Sequence, residues 1–291
     1  MNRIDISLQK NLAFITTVEC GSLTRAAEKL HYSQSAISRM IADLEDELGL
    51  PLLERDRNGV MLTSEGEMLL PCAREVVNDC RKLMMQADSL KGLRSGMIRI
   101  ATFSSAATHW MPNIIREFQK DYPSVDYELL LGDYGEIERW VQEGRADCGF
   151  TRLPASPDLE TVPLEQDPFM AIVPEGHALS SEKEFDPAWF EHEPFILLEH
   201  GKKAEVSEYL ERHDLHPKIH FTTWDDYAVM SMVEGGLGLS ILPSLILRRI
   251  PYRIRAIPLK EPLRRSIGLV LKSRKSASIA VKTFLDYLKY G

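Results

Sequence analysis

The sequence predicts a mixed α/β protein in which a helical N-terminal module precedes a larger α/β module. Apolar residues recur at helical spacing over about the first 90 residues, where one hairpin signal interrupts them. Beyond residue 96, short apolar runs alternate with amphipathic helical segments, a pattern typical of parallel strands joined by crossover helices. The length of 291 residues suits two or three domains.

Composition and charge exclude several classes of protein. The chain is 44% hydrophobic and 27% charged, as globular domains are, and no run of about 18 apolar residues could span a membrane. The formal net charge is -8, so any nucleic-acid-binding surface must be local. The opening "MNRIDISLQKNLAF" lacks the apolar core of a signal peptide. The four cysteines form no CxxC pair and resemble reduced, mostly buried thiols, so we expect a cytoplasmic protein.

The first two helices follow from apolar spacing and capping signals. The first helix carries apolar residues at intervals of three and four: Leu8, Leu12, Ile15 and Val18. Gly21 is placed to end it, and Ser22 can cap a second helix, "LTRAAEKLH". Ala26 and Ala27 on that second helix leave room for another helix to approach closely. The short link "YS" then leads into a third helix that Ser33 can cap.

The third helix separates its apolar and polar residues onto two sides. The apolar side consists of Ile37, Met40, Ile41, Leu44 and Leu48. Short polar side chains at a helix start can enter a DNA major groove, where Gln and Arg read base edges and Ser holds phosphates. The candidate DNA-binding residues are therefore Ser33, Gln34, Ser35, Ser38 and Arg39.

A β-hairpin is predicted after the third helix, because "LLER" and "VMLT" flank "DRNG". Arg55 and Arg57 would lie on this hairpin and could contact phosphates. A helix-turn-helix followed by a hairpin is a winged helix, which we assign to residues 1–63. Any small helical domain also caps helices with Ser and turns at Asn-Gly, so this pattern alone leaves a domain without a DNA role open.

The segment from Phe14 to Glu67 resembles the LysR-type transcriptional regulators. The match includes Phe14, Val18, "GSLTRAAEKLHYSQSAIS", the "LE" and "LG" pairs and the "LT" and "G" of the hairpin region, in that family's order. The resemblance implies a sequence-specific DNA-binding regulator, not an enzyme, with a winged helix, a linker helix and a domain that binds a small-molecule effector. One departure is charge: the first 90 residues carry 10 Lys and Arg against 14 Asp and Glu.

A long linker helix is predicted over residues 64–92. Ser64 and Glu67 have the spacing of a capping box, and Pro71 should kink the helix or lie in its first turns. An apolar stripe with heptad-like spacing follows: Leu69, Ala73, Val76, Cys80, Leu83, Ala87 and Leu90. This stripe could pack on its own domain. The resemblance implies instead an antiparallel dimer helix, and usually a tetramer.

The second module follows a predicted hinge, "GLRSG", and is predicted to form two α/β lobes. The first lobe consists of residues 97–165 and 266–291, and the second lobe consists of residues 166–265. The resemblance implies a periplasmic-binding-protein-like fold. Ligands bind such sheets at the carboxyl ends of strands. The candidate effector-binding residues at these positions are Thr102, Ser104, Ser105, Arg152, His200, Thr222 and Trp224. Their hydroxyls and Arg152 favour an anionic metabolite, although capping serines, a surface Arg and a core Trp would give the same pattern.

The sequence gives little support for a metal site or for a hydrolase active site. His213, His216 and His220 could bind a metal, but Pro217 separates them, and surface positions explain them as well. No G-x-S-x-G motif is present, so a serine hydrolase is disfavoured. A solute receptor without a DNA role and a zinc-dependent enzyme remain the alternatives. We expect no catalytic or metal site and no cofactor beyond the effector. The expected partners are double-stranded promoter DNA, the effector and a second copy, with RNA polymerase a further candidate and no membrane.

Overall fold

The structure is a computed structural model that describes residues 7–56, 59–90, 96–199 and 205–290. The chain forms two compact units: residues 1–90 with 143–145, and residues 91–142 with 146–291. Among the described helices, none is long and apolar enough to cross a membrane. Arg57 and His200, both singled out above, lie outside the described residues.

The N-terminal unit has the winged-helix order that the sequence predicts. Its elements are α1 (Leu8–Cys20), α2 (Leu23–Leu30), α3 (Gln34–Leu48), β1 (Leu53–Asp56), β2 (Gly59–Leu62) and α4 (Ser64–Leu90). The predicted caps are confirmed, because the Ser22 hydroxyl accepts from the Arg25 N–H and the Ser33 hydroxyl accepts from the Ala36 N–H. The hairpin strands pair from Leu53 with Leu62 to Asp56 with Gly59. Gly59 therefore belongs to β2 rather than to the turn.

Two apolar clusters hold the N-terminal unit together. One joins the facing sides of α1, α2 and α3: Ala13, Leu23, Ala26, Ala27, Ile37 and Ile41. The other adds the start of α4: Phe14, Ile15, Leu44, Leu52, Leu70, Ala73 and Val77. Ala26 is fully buried and Ala27 nearly so, as expected where two helices approach closely. The apolar side of α3 therefore packs against the rest of the N-terminal unit.

The capping box predicted at Ser64 is wrong by one residue. The cap is Thr63, whose hydroxyl accepts from the Gly66 N–H at 2.9 Å and donates to the Pro51 carbonyl at 2.7 Å. Thr63 thereby satisfies a backbone donor of the first turn and ties the helix start to the chain before β1. Ser64 lies at the first helical position and is exposed. Thr63 and Ser64 both carry a hydroxyl group, so the spacing of residues alone predicted the wrong cap.

The apolar residues of α4 divide between the unit's own core and solvent, and the predicted stripe contributes Ala73 to the core and Val76 and Leu83 to the exposed set. Leu70, Ala73 and Val77 are buried against α1 and α3. Val76 and Leu83 are 45% and 67% exposed, and the neighbouring large residues Met68 and Met84 are exposed too. Pro71 lies inside α4, which continues through it. The helix therefore presents a second apolar face that this chain does not cover among the described residues.

The second unit is mixed α/β. In chain order its helices are α5 (Ser104–His109), α6 (Met111–Asp121), α7 (Tyr134–Gln142), α8 (Glu205–Arg212), α9 (Asp226–Glu234) and α10 (Ile279–Leu285). Its strands are β3 (Gly96–Thr102), β4 (Val125–Leu131), β5 (Cys148–Leu153), β6 (Glu160–Pro174), β7 (Pro194–Leu198), β8 (Lys218–Thr223), β9 (Ser240–Pro243), β10 (Ile254–Pro258) and β11 (Arg264–Leu271).

Strand β6 connects the two lobes. The order in the larger sheet is β10-β6-β11-β5-β3-β4, with β9 also paired to β6. Only β4-β3-β5 in that sheet are parallel, and β7 pairs with β8 in parallel separately. The first part of β6 pairs with β11 as far as Pro168, and from Phe169 onward β6 pairs with β9 and β10. The chain therefore passes between lobes at Pro168–Phe169, a few residues beyond the expected boundary.

The cysteines differ from expectation. All four are free thiols, but Cys148 alone is buried, Cys72 is exposed, and Cys20 and Cys80 are partly exposed. Burial raises the pKa of the Cys148 thiol. The expectation of mostly buried thiols is wrong because Cys72 and Cys80 fall on exposed or partly exposed sides of α4.

We predict that Thr63→Ala destabilises the N-terminal unit by about 1 kcal/mol, because the Gly66 N–H loses its acceptor. The adjacent Ser64→Ala serves as the matched control and should leave stability within about 0.5 kcal/mol of wild type. Scanning calorimetry of the full chain measures both. Equal effects of the two substitutions would mean that Thr63 is not the cap.

Candidate functional site

The start of α3 presents an exposed polar surface. Ser33, Gln34, Ser35 and Arg39 are exposed and Ser38 is partly buried, whereas Ile37 beneath them is fully buried. The Ser33 hydroxyl also lies 3.0 Å from that of Ser35. Arg55 lies in β1 opposite Val60. The residues proposed from α3 are thus brought together on one accessible side of the helix.

The acidic residues of α3 lie farther along the helix and take part in the unit's own structure. The Glu45 carboxylate accepts from the Leu52 and Leu53 N–H groups at 2.7 and 3.1 Å, which fixes the entry to β1. Asp43 and Glu47 flank the ammonium group of Lys10. At about 1.5 Å per residue, Asp43 is about 13 Å along the axis from Gln34. Repulsion of phosphates by these carboxylates is therefore weak at the helix start.

The second unit contains a pocket of about 300 Å³ between its lobes. Ser104, Ser105 and Trp224, all proposed from the sequence, are among its lining residues. Apolar side chains form much of the remaining wall: Phe103, Leu131, Phe169, Leu198, Val206 and Pro243. The volume lies at the small end of the range for ligand sites, roughly 300–1,000 Å³.

A buried guanidinium organises one wall of this pocket. Arg265 donates from Nε and Nη2 to Asp167 Oδ2 at 2.9 and 2.7 Å. It also donates to the Tyr134 hydroxyl at 2.7 Å and to Ser105 Oγ at 2.9 Å. The rings of Phe103 and Phe169 lie 4.9 and 5.6 Å from the guanidinium carbon. Protein groups on both lobes therefore surround this cation.

Asp167 is satisfied on both of its oxygens. Its Oδ1 accepts from the Ser244 hydroxyl at 2.8 Å and from the Leu245 N–H at 2.9 Å, while Oδ2 faces Arg265. Asp167 and Arg265 are only 1% and 6% exposed and stand opposite each other on β6 and β11. A buried ion pair is tolerated when its geometry is good and its remaining valences are filled, and both conditions hold here.

A second buried carboxylate, Asp226, lies at the first position of α9. Burial raises its pKa, and a hydrogen bond from Ser104 and the charge of Arg265 oppose that rise. The neighbouring Asp225 caps α9 by accepting from the Tyr227 and Ala228 N–H groups. Ser104 thus joins the start of α5 to the start of α9 across the pocket.

The other residues proposed for effector binding lie elsewhere. Thr102 is fully buried and its hydroxyl donates to the Phe103 carbonyl at 3.3 Å. Arg152 lies 3.9 Å from Glu205 and 3.6 Å from Glu208 and is not among the described lining residues. Thr222 is exposed on β8. Trp224, by contrast, does line the pocket, and at 60% exposure it is not a core tryptophan.

The sequence analysis did not identify four polar lining residues, Tyr134, Glu205, Asp226 and Arg265, or Asp167, which pairs with Arg265. Tyr134 follows the carboxyl end of β4, so the rule applied to β3 and β5 could have found it. Arg265 gave no such signal, because a charged residue in "PLRRSIGLVL" normally predicts an exposed strand end.

The three histidines do not converge. His213 Nδ1 lies 2.8 Å from Glu261 Oε2, and His216 Nε2 lies 3.2 Å from Asp214 Oδ1. His220 is exposed on β8. Within the described parts of the chain, no three His, Cys, Asp or Glu side chains are grouped so as to hold a metal ion.

We predict that Arg265→Met destabilises the second unit by about 3–5 kcal/mol, because Asp167 would remain buried without a counter-charge. The double substitution Arg265→Met with Asp167→Leu should recover part of this loss, since no charge is left buried. Arg248→Met is the control: its pair with Glu165 is exposed and contributes at most about 1 kcal/mol. Urea unfolding measures all three, and a small effect of Arg265→Met alone would contradict the assigned role.

Comparison with known proteins identifies both units. Residues 8–67 match the bacterial regulatory helix-turn-helix proteins of the lysR family, and residues 91–291 match the LysR substrate binding domain. The HTH-type transcriptional regulator YvbU of Bacillus subtilis (strain 168) is 32% identical over 281 residues, covering 95% of each chain. These relatives are transcriptional regulators rather than enzymes.

Solved structures share the fold. Full-length OxyR from Pseudomonas aeruginosa superposes with a TM-score of 0.74 at 22% identity, covering 98% of this chain and 95% of that one. Full-length CbnR in complex with its target DNA gives a TM-score of 0.70 at 23% identity, covering 98% and 99%. With both units matched in order over nearly the full length, the chain belongs to the LysR family of DNA-binding transcriptional regulators, with an effector-binding domain after its helix-turn-helix.

Proposed function

We propose that this regulator binds promoter DNA by inserting the start of α3 into the major groove, in the cytoplasm and as a homo-oligomer. The observation that supports this best is the exposed side of α3, where an amide and a guanidinium accompany several hydroxyls. Gln pairs well with adenine and Arg with guanine, while hydroxyls and helix N-termini hold phosphates. The apolar side of the same helix is buried, so this orientation costs no packing.

Dimerisation through α4 would place two such helices on two half-sites. The exposed Val76, Leu83 and Met84 support this proposal, because large apolar side chains exposed along one helix usually meet a partner. A dimer doubles the contacts and makes operator symmetry follow protein symmetry. Assembly into a tetramer and contact with RNA polymerase are further expectations for a regulator of this family.

The inter-lobe pocket is the proposed effector site. Ser104 and Asp226 interact across the two lobes, and Asp167 on one lobe accepts from Ser244 and the Leu245 N–H on the other. A ligand among these residues would therefore favour one lobe arrangement over another. A ligand that binds two arrangements with different affinity shifts their populations. A coupling of about 1–3 kcal/mol between pocket and DNA would change DNA affinity by about 5–150-fold. No cofactor besides this effector is required.

We predict that Gln34→Ala weakens binding to the operator by about 1–3 kcal/mol while leaving binding to unrelated DNA unchanged. The operator fragment is one selected by the wild-type protein from randomised DNA, and fluorescence anisotropy gives both affinities. Gln9→Ala, an exposed glutamine on α1, is the matched control and should bind as wild type. Unchanged operator affinity of the Gln34 variant would remove this side of α3 from the interface.

We predict that Leu83→Asp dissociates the oligomer, because a carboxylate would be buried in the apolar contact along α4. Arg81→Asp is the control: it places the same side chain on the other side of the helix, about 200° away. Light scattering coupled to size-exclusion chromatography should show a smaller species for the first variant alone. An unchanged mass for Leu83→Asp would place the oligomer interface elsewhere.

A further inference from the structure

The described lining of the effector pocket is strongly acidic. Five carboxylates contribute to it, and the one lining cation is Arg265: the acids are Asp133, Glu199, Glu205, Asp225 and Asp226. An anionic metabolite, which the sequence favoured, would be repelled by this described part of the lining. The repulsion would be considerable, since charges in a partly enclosed pocket are screened less than charges in water.

The one guanidinium in the described lining is already engaged. Four of its hydrogen bonds go to Asp167, Tyr134 and Ser105, and Asp167 balances its charge. Arg152, the cation proposed from the sequence, stands between Glu205 and Glu208 instead. Arg265 therefore has little hydrogen-bonding capacity left for a carboxylate or phosphate, and Arg152 is not among the described lining residues.

The two serines are also engaged, and the helix they open is short. Ser104 donates to Asp226, and Ser105 accepts from Arg265. Helix α5 has six residues, too few to build a strong dipole site for an anion. The features that suggested an anion in the sequence thus serve the protein's own contacts.

Glu205 provides a direct pointer to a ligand. Its carboxylate group hydrogen-bonds with the Tyr134 hydroxyl, but its Oε1 atom is buried and has no hydrogen-bond partner among the described residues. The Arg152 group nearest to it, at 3.9 Å, is beyond hydrogen-bonding distance and is shared with Glu208. A buried carboxylate oxygen without a donor is costly, and a ligand N–H would satisfy it. Asp226, 7% exposed, supplies a second buried acid in the same pocket.

The rest of the lining suits an apolar body. Phe169, Leu198 and Val206 form part of the wall, and Trp224 is 60% exposed beside them. An exposed indole face attracts cations as well as apolar groups. The volume of about 300 Å³ admits a small molecule only.

We propose that the effector is a small organic cation, an amine or guanidine on an apolar body, whose charged group is bound by Glu205 and Asp226. This inference rests on the proposed function, in which the pocket is the effector site. The amine donates to the buried carboxylate oxygens, and the apolar body packs against Trp224 and the aliphatic wall. Binding neutralises part of the acidic lining and so favours one arrangement of the lobes over another.

The test compares matched pairs of amines and carboxylates on the full-length protein. Phenethylamine, tryptamine and hexylamine are titrated by calorimetry beside hydrocinnamate, indolepropionate and heptanoate. We expect the amines to bind and the carboxylates to bind at least tenfold more weakly. The carboxylates test the opposite charge preference. This matters because three basic residues, His200, Lys202 and Lys203, lie between Glu199 and Glu205 in the chain, outside the described residues. Stronger carboxylate binding, or no binding by any amine, would overturn the proposal.

Two substitutions separate recognition from structure. Glu205→Gln should weaken amine binding by about tenfold or more, since it removes a charged acceptor. Glu184→Gln, exposed and outside the lining, is the matched control and should bind like wild type. Equal affinities of these two variants would also overturn the proposal.

Asp226→Asn adds a readout that a purely structural role would not give. Burial raises the pKa of Asp226, so its ionisation destabilises the folded state as pH rises above the ordinary carboxyl range. At neutral pH the amide variant should therefore melt at the wild-type temperature or higher, yet bind amines more weakly. A lower melting temperature with unchanged amine affinity would contradict the assignment.

DNA binding by the ligand-free protein is measured alongside. If operator binding persists while no amine binds, the cation proposal fails and the regulator remains. If the protein binds no DNA fragment at low salt, the proposed function fails, whatever the amines do.

Discussion

The buried pair of Arg265 and Asp167 is the constraint on which the second unit depends. The two residues face each other on β6 and β11, close to the point where β6 changes partners between lobes. Removing two charges from water costs several kcal/mol per ion, so the pair persists because Ser105, Tyr134, Ser244 and the Leu245 N–H fill the remaining valences. These partners come from both lobes, and Ser105, Tyr134 and Arg265 also line the pocket. Fold stability and ligand recognition therefore share one set of contacts.

The N-terminal unit is subject to a different constraint: it must bind DNA although the chain has a net negative charge. Its acids are placed where they serve structure: Glu45 holds the entry to β1, and Asp43 and Glu47 flank Lys10. The start of α3 is left with hydroxyls, an amide and a guanidinium. Local arrangement thus matters more than net charge, since exposed charges more than about 8–10 Å apart are largely screened at ordinary ionic strength.

The sequence predicts the N-terminal unit better than the pocket, for physical reasons. Helix spacing, Ser caps and a hairpin are local signals, and they located α1 to α3 and the strands correctly. The sequence predicted Ser64 rather than Thr63 as the cap of α4, because the hydrogen bond from Thr63 to the distant Pro51 carbonyl leaves no local signal. The pocket depends on long-range pairing: Arg265 meets Asp167 and Ser105 through strand register and lobe packing, which no local pattern reveals. The contacts of Arg152 with Glu208 and of Ser104 with Asp226 depend on the same long-range packing, so the sequence could not reveal them.

The central claim is that the pocket and the DNA-binding surface influence each other. Linkage requires that a ligand which changes operator affinity by some factor has its own affinity changed by the same factor when operator is bound. The direct measurement is the affinity of the tightest-binding amine for the full-length protein, by calorimetry, with and without saturating operator DNA. We expect the two affinities to differ by about 5-fold or more, in either direction. Identical affinities in the two titrations would show that a ligand in this pocket does not regulate DNA binding, and would contradict the account.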